Sequence, residues 1–255
     1  MRAFIAFTRK EFVESLRTYR LIVLAAVFLL LGVMSPLFAK LLPELLNGAD
    51  MGGGVILAMS EPVAMDSWAQ FFKNVGQMGM LALIITFCGI MANEFSRGTL
   101  INLLTKGMKR HIVIWSKFLS ASILWAVSYL LCLAVCYSYT AYYWPANILS
   151  HTLLAFFAPW LFGEFLIALL ILGGVLFGNF YGSLLTCGGV IVVLNLLNII
   201  PGAQKYNPVI LSGDTLNLLN AQKTVVDFMP AVLICAAATV LLLVTSVMVF
   251  NKKQI

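Results

Sequence analysis

Few residues in this 255-residue chain have both the type and the setting to do chemistry, and Glu164 is foremost among them. It is the one formally charged residue deep inside a long apolar run, about twelve residues from the start of that run. A carboxylate at mid-bilayer is costly, so it must face protein or water, or carry a proton. Two roles are open to it: a substrate-contacting or gating acid in a translocation path, or an acid hydrogen-bonded to neighbouring helices. Asn195 and Asn198, with Thr186, lie in the next apolar run. They suit either the same path or hydrogen bonds between helices.

The other reactive residue types point away from catalysis. Cys88, Cys132, Cys136, Cys187 and Cys235 all fall inside apolar runs. Cys132 and Cys136 share a helix face, but no His or acid has matching spacing, so they read as small packing residues. His111 and His151 are expected on opposite sides of a membrane and cannot share a metal. Gly52-Gly53-Gly54 is not a phosphate loop, and no GxxxxGK[ST] occurs in the chain. Ser183 after Gly182 is the only weak candidate for an intramembrane nucleophile, and it sits on the opposite side from His151. No catalytic residue, no metal site and no cofactor bound by this chain is expected, so an enzyme is not.

The elements that must position these residues follow from composition. The chain is 62% hydrophobic and 10% charged, against roughly 25% charged in a soluble domain. Its mean hydropathy is +0.99. An all-α integral membrane protein is expected, a single transmembrane domain with six spans of roughly 20 residues each. The spans are placed at about 21–39, 75–92, 113–141, 152–177, 183–200 and 230–250. The first run begins only at Leu21, so no cleavable signal peptide is expected. Between spans four and five, Gly178-Asn179-Phe180-Tyr181-Gly182 reads as a tight turn. The spacing of Gly174, Gly178 and Gly182 is ascribed to that turn rather than to a dimer seam.

Charge gives the orientation. Twelve of the sixteen Lys and Arg fall at the N-terminus, at the C-terminus or in the loop after the second span. Lys40, Lys73, Lys205 and Lys223 fall on the other side together with six acids. The positive-inside rule then puts both termini in the cytoplasm and accounts for the basic balance without nucleic acid. Trp68, Phe71 and Phe72 are read as an outer interfacial belt, as are Tyr137, Tyr139, Tyr142, Tyr143 and Trp144. Residues 201–229 read as an outer re-entrant or surface segment, too polar to span, with Leu216, Leu219 and Val226 available to pack.

Residues 1–20 form an amphipathic interfacial helix. Phe4, Ile5, Phe12, Leu16 and Tyr19 gather on one side, and Arg2, Arg9, Lys10, Arg17 and Arg20 on the other. Phe7, Glu11 and Val13 break this pattern. After the second span comes NEFSRGTLINLLTKGMKRHIVIWSK, residues 93–117, a basic helical segment with bends at Gly98 and Gly107.

Six spans, the amphipathic start and this basic loop resemble a membrane subunit of the ABC-2 class of ABC transporters. The matching residues are Glu94, Gly98, Thr99 and Leu100, then Leu103, Leu104, Thr105 and Lys106, then Arg110 and Lys117. Gly107 stands where members of the class often have proline. The resemblance implies that residues 93–112 hold a coupling helix seated in a separate ATP-binding subunit. Glu94, Arg97, Gly98, Thr99, Leu100, Leu104, Lys106 and Arg110 would carry the contact, with Leu100 and Leu104 as apolar anchors. It implies two ATPase copies that hold ATP and Mg, a second permease, identical or related, and a location in the bacterial plasma membrane. Glu164, Asn195 and Asn198 would belong to the path of a hydrophobic or amphipathic substrate, a peptide or drug. The rival readings are an ATP-independent carrier or channel, and a membrane anchor for a cytoplasmic complex.

Overall fold

A computed structural model describes residues 2–48, 61–96, 98, 105, 107–145, 151–200 and 202–253. All regular structure among them is helical, and six helices are long and apolar enough to cross a membrane. The chain is a multi-pass membrane protein. In order, α1 is Arg2–Arg17 and α2 is Arg20–Gly48. The second span combines α3 (Ala64–Asn74), a π-helical turn (Val75–Gly79) and α4 (Met80–Phe87). A short α5 (Ala92–Ser96) follows. Then come α6 (Arg110–Tyr143), α7 (Thr152–Phe177) and α8 (Phe180–Leu197). Two single-turn helices, α9 (Ile210–Gly213) and α10 (Thr215–Leu219), precede α11 (Val225–Lys252).

α7 is the axis of the bundle: every residue from Leu161 through Ile171 is buried. Lipid tails are as apolar as leucine, so close packing rather than water expulsion must hold such helices together. Gly163 shows what that requires, because a Cβ there would collide with the Trp125 indole of α6. α2 lies along α6, and α11 along α7. α8 is attached most lightly, with only Gly182, Ser183 and Cys187 buried.

Several sequence boundaries move. α2 does not stop at Lys40 but runs on through Pro36 and Pro43. The second span begins at Ala64 rather than Val75. Asp66 starts it by accepting the Val63 N–H at 2.9 Å. Trp68, Phe71, Phe72 and Val75 then fall on one face and are buried. These aromatics are therefore not an interfacial belt; they pack on Phe156 at centroid distances of 5.0–6.2 Å. Tyr137, Tyr139 and Tyr142 do remain exposed, as a belt requires. The turn after α7 is tighter than expected. Gly178 takes φ +71° as the left-handed cap, and Asn179 caps α8 by accepting the Gly182 N–H at 2.7 Å. α11 begins at Val225, ahead of Pro230. In residues 202–229, Leu211, Leu218 and Leu219 are buried against the bundle, while Val226 is exposed.

Candidate functional site: the ion-pair junction of the amphipathic helix

α1 turns a different face inward from the one its strongest apolar residues mark. Phe7, Glu11 and Ser15 are buried, whereas Ile5, Leu16 and Tyr19 are exposed. Phe7 and Glu11, two of the three residues that break the amphipathic pattern, thus face the protein, while the third, Val13, is exposed. Arg9 and Arg17 are exposed as well.

Glu11 enters a buried cluster drawn from three elements. Lys117, in the second turn of α6 and 2% exposed, donates to Glu11 Oε2 at 2.8 Å and to Glu94 Oε1 at 3.1 Å. Lys10 lies 3.1 Å from Glu11 Oε1, 2.9 Å from Glu14 Oε2 and 2.9 Å from Glu94 Oε1. Burial opposes the Lys10 charge, but Glu14, Glu11 and Glu94 outweigh it and hold the ammonium well above its ordinary pKa. Carboxylate oxygens of Glu11, Glu14 and Glu94 lie within 4.8 Å of one another, a spacing a metal ion could use. The Lys10 ammonium occupies their point of convergence.

Glu94 is thus 4% exposed and turned into the protein, where the sequence has it on a face offered to a partner. Lys117 likewise lies inside the bundle and not on the basic surface. Arg110 is the first residue of α6 and caps another helix. Its guanidinium donates to the carbonyls of Phe250 and, at 2.7 Å, Lys253, at the C-terminus of α11. Lys253 in turn donates to Val175 O at 2.7 Å and Leu176 O at 3.2 Å, capping α7. Lys253 also lies 4.6 Å from the Phe95 ring centre, and Phe95 packs edge-on against Phe250. Burial lowers the pKa of Lys253. Cations thus complement helix C-termini at this end of the bundle. Gly98 and Gly107 have φ of +63° and +84°; a proline ring forbids the second value. Arg97, Thr99, Leu100, Leu103, Leu104 and Lys106 lie outside the described residues.

Glu164, Asn195 and Asn198 are not brought to one place. Glu164 is 4% exposed and accepts a hydrogen bond from Ser122 of α6. Asn195 is exposed and bonds back to Ile191 O at 2.9 Å. It borders a cavity of about 200 Å³ with Phe162 and Leu166, on the side of α7 away from Glu164. Asn198 ends α8, and its side-chain oxygen lies 3.5 Å from Asn207 Nδ2. The five cysteines are free and buried.

Lys10, Glu11, Glu14 and Lys117 were not singled out as a site by sequence reasoning. The usable signal was the pair Glu11 and Glu14, the two acids of a helix that is otherwise mostly basic and apolar. No family model matches the chain. The chain is 23% identical over 130 residues to an uncharacterized transmembrane protein, YxlG, of Bacillus subtilis (strain 168). That match covers 51% of this chain and 50% of the relative, so the chain spans about half the length of the curated relative it matches.

Proposed function

We propose that this chain is the membrane subunit of an ATP-driven exporter of the ABC-2 type. It works with a second permease, identical or related, and with two copies of a separate ATP-binding subunit that holds ATP and Mg. The observation that carries this reading is the buried Glu11–Lys117–Glu94 network. It locks the segment after the second span to the amphipathic helix and to the start of the third span. A push on that segment therefore moves α1, α5 and α6 together, as coupling to an ATPase demands. An ordinary lipid-facing basic loop has no need of a buried charge pair, because such pairs cost desolvation energy.

In this reading Glu94 anchors the coupling segment from within, and Arg110 fixes its far end to α11. Arg97, Thr99, Leu100, Leu104 and Lys106 are the residues that meet the ATPase. Both termini face the cytoplasm, and the substrate is hydrophobic or amphipathic. The test is affinity purification from the native membrane in mild detergent, with mass spectrometry. An ATP-binding protein should accompany the wild type and be lost from Leu100→Asp. A monodisperse chain with no ATPase in either sample would refute the reading.

A further inference from the structure

α6 and α7 run antiparallel and are joined at successive turns by three hydrogen bonds. Tyr129 donates to Phe156 O at 2.8 Å, Trp125 to Trp160 O at 3.0 Å, and Ser122 to Glu164 Oε2. Beside the first two bonds lies a groove of about 360 Å³, lined by Ala126, Leu130 and Leu133 of α6 and Phe157 and Trp160 of α7. Leu130 and Phe157 are 58% and 40% exposed, so the groove opens on the outer surface of the bundle. Ser122 lies four residues before Ala126, and Glu164 four residues after Trp160. Both therefore continue the groove-lining faces by one helical turn. One turn past the groove's lining, on the same two faces, the Glu164 carboxylate lies buried, 4% exposed.

That carboxylate is unfinished. Oε1 of Glu164 is buried and has no hydrogen-bond partner, and no described Lys or Arg pairs with the group. A buried carboxylate oxygen without a donor is costly, and a cation that donates to it is the strongest available remedy. The groove has the volume of a small-molecule site and no cation of its own. We propose that this groove binds a cationic amphiphile, an amine whose ammonium N–H donates to Glu164 Oε1 while its apolar body lies against Leu130, Phe157 and Trp160. This deepens the transport reading and rests on it for the physiological meaning of the ligand. A neutral lipid tail would fill the apolar part equally well but leave Oε1 bare.

The test uses the full chain alone in phosphatidylcholine nanodiscs, without ATP or any ATPase. The probes are a chain-brominated dodecylamine and the matching brominated dodecanol, with tryptophan quenching as readout. The amine should quench at about tenfold lower concentration than the alcohol, the scale of one charge-assisted hydrogen bond. Glu164→Gln should abolish that advantage and leave the alcohol curve unchanged, which also shows that the variant is folded. Trp160→Phe should remove most of the quenching. Equal potency of the two probes on the wild type, or an amine preference that survives Glu164→Gln, would overturn the proposal. So would quenching by neither probe on a dimeric chain, which would mean that a second copy covers the groove. Failure here leaves recovery of an ATPase untouched, and failure to recover an ATPase leaves this binding result standing.

Discussion

Lys117 and Glu11 are separated by 106 positions and meet in a 2.8 Å ion pair, both side chains almost fully buried. The same ammonium reaches Glu94. Removing it takes away the buried counter-ion of both carboxylates and leaves them the half-exposed Lys10 ammonium. Lys117→Ala should therefore destabilise the chain, by no more than about 3 kcal/mol because Lys10 still pairs with both acids, measured as unfolding in a graded denaturing detergent. The triple change Lys117→Met, Glu11→Gln and Glu94→Gln should recover most of that loss, since it removes the charges together. A triple variant no better than Lys117→Ala would show that the junction is held by something other than charge pairing.

Two kinds of helical glycine should respond in opposite directions. Gly163→Ala drives a methyl into the Trp125 indole, so overpacking should cost about 1–3 kcal/mol. Gly188 has nothing within 4 Å of its added Cβ. Gly188→Ala should be neutral or stabilising by up to about 1 kcal/mol. Thermal unfolding of the two variants side by side checks both signs.

Arg110 and Lys253 cap the ends of α11 and α7, and each also contacts an aromatic ring, Phe250 and Phe95. Arg110→Ala and Lys253→Ala should each cost about 1 kcal/mol, the scale of a partly exposed cap. Hydrogen exchange should rise in the last turn of α11 for the first variant and of α7 for the second. Exchange that rises evenly along the helices would contradict a capping role.

The Lys10 ammonium is held above the usual lysine value of 10.5. With the folded value above the unfolded one, its stabilisation is fully present below pH 10.5 and fades only as pH climbs through the folded value. An environment-sensitive dye on Ala6→Cys should report no movement of α1 between neutral pH and 10.5. A spectral change well below that limit would mean another group governs the seat of the helix.

The spans were legible because twenty apolar residues in a row admit few other readings, and Thr152–Phe177 is found where the sequence places it. The second span was under-read because Gln70, Lys73 and Asn74 dilute its hydropathy. The structure satisfies Asn74 internally, through Ser35 Oγ at 3.0 Å, so the polar residues did not end the helix. Glu164 was recognisable as an isolated buried acid, but its partner was not, since Ser122 is an ordinary residue in an apolar run. The junction stayed hidden for a different reason. Helical periodicity ranks faces by hydrophobicity, and α1 leaves Ile5, Leu16 and Tyr19 of its most hydrophobic face exposed while it turns Phe7, Glu11 and Ser15 to the protein.

The position of Lys10 among three carboxylates has a consequence for the surroundings of the protein. Many acid clusters borrow a calcium or magnesium ion, and their architecture then follows the supply of that ion. This chain brings its counter-ion on a tether, from the residue next to Glu11. The seat of the amphipathic helix should therefore be indifferent to chelators and to swings in divalent-cation concentration.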